Sequence, residues 1–204
     1  PDYRQWPEAR YPAATDDLLA VYSELLKEYK PENIGIHGCS AGANFTGQLI
    51  PHILKAGLPL PGAIGLYGES ITPGISDGLF FWHAAMGTPM SPAVNNTEDF
   101  FRRATEIGYF EGVDILDLFN DPMITPSSSS TLLAKFPPTL ILNSLRDPVF
   151  HNAVAMHRQF IKVGVEADLH LWPGLGHCAF LNPDIPESVD AYEVMIRFFD
   201  KHLG

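Results

Sequence analysis

Asn33-Ile34-Gly35-Ile36-His37-Gly38-Cys39-Ser40-Ala41-Gly42-Ala43-Asn44 is the stretch on which the fold turns. Asn33 to Gly38 reads as a short strand running into a tight turn, and the segment from Ala41 to about Leu54 reads as a helix, disturbed at Pro51. Between them, Gly38-Cys39-Ser40-Ala41-Gly42 fits the pattern G-x-S-x-G in its strand–turn–helix setting. So sharp a turn leaves no room for side chains at its two glycines, which are expected to avoid collisions with the strand and the helix. The serine is thereby lifted clear of the sheet at the amino end of a helix, whose dipole favours developing negative charge. A serine that merely caps a helix after a tight turn is the competing interpretation.

Working outward, the same alternation of strand and helix repeats. Upstream, Pro12-Ala13-Ala14-Thr15-Asp16-Asp17 reads as a helix start, with Leu18, Val21, Tyr22, Leu25, Leu26 and Tyr29 as one apolar stripe and Pro31 as the stop. Downstream, Ala63–Gly68, Thr139–Asn143 and Asp168–Trp172 read as strands, with helices at Asn152–Val163 and Ser188–Leu203. Short apolar strands separated by helices predict an α/β fold, a mostly parallel sheet with helices on both faces. Residues 1–204 are read as a single domain, interrupted at about 72–130 by a cap-like insertion that holds Phe80-Phe81-Trp82-His83, Phe100-Phe101 and Tyr109-Phe110. A connection of that length is too long for an ordinary turn, and its aromatic residues are expected to line a pocket above the sheet. A packed subdomain with no substrate role is the alternative.

A serine hydroxyl is a poor nucleophile until a base takes its proton. Pro173-Gly174-Leu175-Gly176-His177 supplies a base in a glycine-rich loop just after the last strand. Asn143-Ser144-Leu145-Arg146-Asp147-Pro148 follows the preceding strand, and Asp147 is its only acid. A lone loop histidine or a lone Asp-Pro turn would mean little. The order Ser40, Asp147, His177, with each residue in a loop after a strand, makes the three a candidate catalytic triad, with Ala41 N–H as the candidate oxyanion donor. The other histidines (His37, His52, His83, His151, His157, His170 and His202) show no metal-ligand spacing, and neither G-x-G-x-x-G nor a P-loop occurs. No metal and no cofactor are expected.

Composition narrows the partners. The chain has 204 residues, 46% hydrophobic and 18% charged, with a formal net charge of −11. That is enough apolar material for one core, and an acidic surface disfavours nucleic acid and anionic lipid. No apolar run approaches the roughly 18 residues of a membrane span, and no secretory leader pattern is visible. Two cysteines, Cys39 and Cys178, do not make a disulfide framework and read as inert buried thiols in a cytoplasmic protein, although both border the candidate site and a thiol pair or disulfide there is the alternative.

Several stretches together resemble the hormone-sensitive-lipase-like branch of the α/β hydrolases, a group of carboxylesterases. Asp2-Tyr3-Arg4, Pro7-Glu8, Tyr11-Pro12-Ala13-Ala14 and Asp16-Asp17 are similar to that family's D-Y-R-x-x-P-E-x-x-x-P-A-A-x-x-D segment, and Gly38 to Asn44 is similar to its G-D-S-A-G-G-N elbow. Pro137-Pro138-Thr139-Leu140-Ile141, Asp147-Pro148 and Pro173-Gly174-Leu175-Gly176-His177 resemble its P-P-T-L-I strand, acid loop and P-G-x-x-H loop. Cys39 and Ala43 depart from the elbow pattern. The resemblance implies hydrolysis of short-chain carboxylic esters, small-molecule substrates, through an acyl-enzyme. A peptidase or amidase on the same fold, and an impaired hydrolase-fold binding protein, are the other readings. The family's H-G-G-G oxyanion loop and first strands normally precede the D-Y-R segment, with which this chain begins. The strand from Asn33 to Gly38 is therefore expected at a sheet edge, covered by a second chain, a second copy or further upstream residues, or else left as an apolar patch.

Overall fold

The computed structural model describes residues 1–68, 71, 105–147 and 149–204. Four strands form one sheet in the order β1-β2-β3-β4, all parallel: β1 (Gly35–Cys39), β2 (Ala63–Tyr67), β3 (Thr139–Ser144) and β4 (Ala167–Trp172). Among the described residues six α-helices accompany them: α1 (Ala13–Leu25), α2 (Ala41–Lys55), α3 (Ile115–Asn120), α4 (Ser130–Leu133), α5 (Phe150–Lys162) and α6 (Pro186–His202). In a strand, successive side chains point to opposite faces, and here each face meets its own helices. Ile64, Leu66 and Ile141 pack with Tyr22 of α1, Ile50 and Ile53 of α2, and Met156 and Phe160 of α5. Ala63, Tyr67, Leu140 and Leu142 turn the other way, onto Val194, Met195 and Phe198 of α6. The sheet is doubly covered, as the apolar runs predict.

Two local expectations need correction. The first helix stops at Leu25, and its inward face is Ala14, Leu18, Leu19 and Tyr22, whereas Val21, Leu25 and Tyr29 are exposed. The stripe drawn from the sequence was too wide. Pro51 does not interrupt α2, which runs through it to Lys55. Proline deprives one carbonyl, that of Gly47, of its helical donor, but the helix is held by the burial of Pro51 and of seven other residues from Ala43 to Ile53.

β1 pairs with β2 and, among the described residues, with nothing on its other side. The edge position expected for this strand is therefore what the described residues show. Of the aromatic insertion, residues 72–104 lie outside the described residues, so the cap and the roles of Phe80, Phe81, Trp82, Phe100 and Phe101 do too. The described part folds back on the start of the chain. Tyr109 stands edge-on to Phe45 of α2 (5.4 Å between centroids) and its hydroxyl accepts a hydrogen bond from Ala14 N–H at 2.8 Å. Phe110 lies 5.6 Å from the Tyr11 ring.

Candidate active site

All three candidate residues follow carboxyl ends of parallel strands, where loops of this architecture converge. Ser40 comes straight after β1, Asp147 three residues after β3, and His177 five residues after β4. The structure brings them together. His177 Nε2 lies 2.9 Å from Ser40 Oγ, and His177 Nδ1 lies 2.8 Å from Asp147 Oδ2.

Each member is fixed by its own surroundings. Ser40 has φ 56° and ψ −120°, a backbone state costing a non-glycine residue roughly 1–3 kcal/mol unless its surroundings impose it. They do. Ser40 N–H donates to the Tyr67 carbonyl at 2.8 Å, and the Ser40 carbonyl accepts from Ala43 and Asn44 N–H as α2 begins. A Cβ on Gly38 would collide with the Gly42 backbone, which accounts for the first glycine of the elbow. The second differs from expectation. Among the described residues a Cβ on Gly42 would meet nothing within 4 Å, so the crowding there acts on Gly38 through the Gly42 backbone and not through any Gly42 side chain.

Asp147 is held by its own loop. Its N–H donates to the Ser144 carbonyl at 2.9 Å, and its Oδ1 accepts from Val149 N–H at 2.9 Å. That leaves Oδ2 for His177, with the carboxylate side chain fully buried and the imidazole side chain 39% exposed. A buried acid facing a half-exposed ring selects the tautomer with the proton on Nδ1, leaving Nε2 to accept from Ser40. Leu145 N–H donates to the Trp172 carbonyl at 2.9 Å, which ties the acid loop to the root of the histidine loop. Ala41 N–H is the first of α2, where a helix has no internal acceptor for it.

The two cysteines correct the expectation of inert thiols. Cys39 and Cys178 are joined as a disulfide, with Cα atoms 6.6 Å apart. That spacing lies within the roughly 4.4–6.8 Å a disulfide spans. The cause is positional: Cys39 precedes Ser40 and Cys178 follows His177, so bringing the base to the nucleophile brings the sulfurs together. Gly68, at the end of β2, closes the floor beneath them. It has φ +64°, and a Cβ there would come within 2.6 Å of Cys178 Sγ. From the sequence, Gly68-Glu69-Ser70 ends the second strand at a place that could face the site, and Gly68 does so. Sequence reasoning missed Val149 N–H and the Tyr67 carbonyl, which act through backbone atoms and leave no signal. Glu69 and Ser70, which follow Gly68, lie outside the described residues.

Comparison with known proteins agrees with this geometry. A family model for the alpha/beta hydrolase fold matches residues 1–181, and the chain belongs to that family. The chain is 28% identical over 207 residues to an acetyl-hydrolase of Streptomyces hygroscopicus, and 27% identical over 199 residues to a versiconal hemiacetal acetate esterase of Dothistroma septosporum. Those matches cover 99% and 92% of this chain but 64% and 58% of the relatives. Among solved structures, an esterase from the bacterial hormone-sensitive lipase family superposes with a TM-score of 0.82 at 27% identity, covering all of this chain and 65% of that one. Esterase E25 superposes with a TM-score of 0.81 at 29% identity, over 59% of its length. The chain thus spans less than two thirds of each of these proteins, and the hormone-sensitive-lipase-like branch drawn from its motifs is the branch the solved neighbours represent.

Proposed function

We propose that the chain carries the nucleophile, acid and base of a serine esterase that hydrolyses short-chain carboxylic esters through an acyl-enzyme. The observation that carries this reading is the continuous hydrogen-bonded line Ser40 Oγ–His177 Nε2, His177 Nδ1–Asp147 Oδ2, at 2.9 and 2.8 Å. His177 takes the proton of Ser40 as Oγ attacks the ester carbonyl, and Asp147 stabilises the imidazolium so formed. The tetrahedral oxyanion develops at the amino end of α2, where Ala41 N–H donates to it and the helix dipole favours its charge. His177 then returns its proton to the departing alkoxide, leaving an acyl group on Ser40. In the second half a water loses its proton to His177 and releases the acid.

Esterase chemistry is favoured by the names of the relatives, an acetyl-hydrolase and an acetate esterase. An amidase would use the same groups and differ in needing an earlier proton delivery to its leaving nitrogen. An impaired binding protein has no use for a buried acid, an oriented ring and a strained serine in register. No described helix is long and apolar enough to cross a membrane. The cytoplasmic location expected from the sequence sits with the disulfide only if that bond is turned over, since cytosolic disulfides are mostly transient. Among the described residues the outer edge of β1 is unpaired, and there a second chain, a second copy or further upstream residues would add a strand.

The test is turnover of p-nitrophenyl butyrate beside the matching anilide, with a fluorophosphonate probe mapped by mass. Ester turnover should exceed anilide turnover, the probe should modify Ser40, and Ser40→Ala should lower ester turnover by at least about 10³-fold. Parent-level activity in Ser40→Ala, or a label on another residue, overturns the reading.

A further inference from the structure

We propose that the Cys39–Cys178 disulfide is a positioning cross-link, so that thiol–disulfide exchange at this bond switches the hydrolytic site; this rests on the esterase reading above. The bond joins the residue before the nucleophile to the residue after the base, 139 positions apart in the chain. Neither cysteine is fully buried among the described residues. The histidine loop needs such a tie. Pro173, Gly174, Gly176 and His177 are exposed, and Gly174 and Gly176 have open space where a side chain would be. Cys178 itself is held in left-handed backbone, φ 48° and ψ 31°, and with Ser40 it is one of two non-glycine residues at positive φ among the described residues. Ser40 adjoins one end of the cross-link, and Cys178 is its other end.

The consequence of reduction follows from space. A dithiol reductant, such as a protein of the C-x-x-C class, attacks one sulfur through its thiolate. It forms a mixed disulfide and then leaves as its own disulfide, passing two electrons and two protons to Cys39 and Cys178. Two thiols cannot stay at bonding distance; their sulfurs must separate from about 2.05 Å toward van der Waals contact at about 3.5–4 Å. Both sulfurs pack over Gly68, where an added Cβ would lie 2.6 Å from Cys178 Sγ and 3.5 Å from Cys39 Sγ. The two thiols therefore swing apart, and the glycine-rich loop that carries His177 loses its covalent tie to the residue before Ser40. The 2.9 Å contact to Ser40 has little slack for such a shift, and a misplacement of about 1 Å at a reacting group can cost about a hundredfold in rate.

The experiment follows the full chain through a dithiothreitol titration, with alkylation and mass spectrometry reporting the thiols, fluorophosphonate labelling counting active sites, and side-chain ¹H–¹⁵N spectra reporting the His177 ring. In untreated protein, iodoacetamide should add nothing. As both thiols become alkylatable, kcat per labelled site should fall about tenfold to a hundredfold with KM little changed, and oxidised glutathione should restore it. The His177 ring signals should shift over the same range of reductant. A Cys39→Ala/Cys178→Ala variant should ignore dithiothreitol, and a partial loss confined to kcat separates positioning from unfolding, which would remove labelled sites instead. Free thiols in untreated protein, or a reduced protein with unchanged kcat and unchanged His177 signals, overturn the proposal. If Ser40 takes no probe and no ester turns over, the esterase reading fails, and the His177 signals alone then decide whether the bond positions the ring.

Discussion

β2 and β3 are buried at every residue, whereas β1, which carries Ser40 at its tip, is exposed or half-exposed along its whole length. The two central strands have helices on both faces and a strand on either side. β1 has α2 on one face and, on the other, Phe199 of α6 beside His37, but one neighbouring strand among the described residues. Apolar burial is the main favourable term in folding, so among the described residues its weight sits in β2 and β3, and less of it on the strand that leads into the candidate nucleophile. The site compensates with cross-ties that do not depend on burial: Ser40 N–H to the Tyr67 carbonyl, the Gly38–Gly42 backbone contact, and the bond from Cys39 to Cys178.

The largest effect expected from this contrast is in core truncation. Leu142→Ala in β3 removes a fully buried side chain packed between sheet and α6, and should cost about 2–5 kcal/mol in urea unfolding. Ile36→Ala in β1 removes a partly buried one and should cost about 1 kcal/mol or less in dilute protein. Equal losses would mean that β1 is covered in solution. A cost for Ile36→Ala that grows with protein concentration would assign the cover to a second copy.

The elbow and the arrangement of the candidate triad were legible because the chemistry proposed for them demands particular residue types in a fixed chain order. Gly38, Ser40, Asp147 and His177 could not be exchanged for neighbours without losing the argument. The sheet was legible for a related reason: buried parallel strands are unbroken apolar runs, as in Thr139–Asn143, and their boundaries came out within about two residues. What could not be read is what depends on approach in three dimensions. Nothing in the sequence says that Gly42 has open space while Gly38 does not, or that α1 turns Val21 outward. The disulfide is the instructive miss. Cysteine count and spacing argued for two thiols, yet Cys39 and Cys178 each adjoin a residue that catalysis would bring together, and that adjacency was a stronger signal than the count.

A second contrast lies inside the elbow. Gly38→Ala drives a methyl group into the Gly42 backbone and should destabilise by about 1–3 kcal/mol, with a larger fractional loss of activity because Ser40 moves with it. Gly42→Ala places its methyl in open space within α2 and should be neutral or stabilising by up to about 1 kcal/mol. Thermal unfolding and p-nitrophenyl butyrate turnover on the same samples check both. If the two variants behave alike, the close approach is not what fixes the elbow.

The smallest effect tests how exposed β1 is at one side chain. The His37 residue is partly exposed, yet its ring lies 5.4 Å from the Tyr67 ring and 6.0 Å from that of Phe199. Burial among these neighbours lowers the proton affinity of the ring below that of an ordinary histidine. His52 on α2 is lowered too, again chiefly by burial. The sign follows from linkage. Above the ordinary histidine pKa of about 6.5 both folded and unfolded rings are neutral and contribute nothing. As the pH falls below it, the unfolded chain takes up protons that the folded ring refuses, so stability is lost until the folded pKa is reached. Between pH 7 and pH 5 the parent should therefore lose more Tm than His37→Gln, which lacks one of the two groups while His52 is retained. The difference should be below about 2 °C, because solvent screens a ring on so open a strand. An identical fall in parent and variant would show that the His37 ring is as solvated as the backbone that carries it, and that α6 shields β1 less than the packing of Phe199 implies.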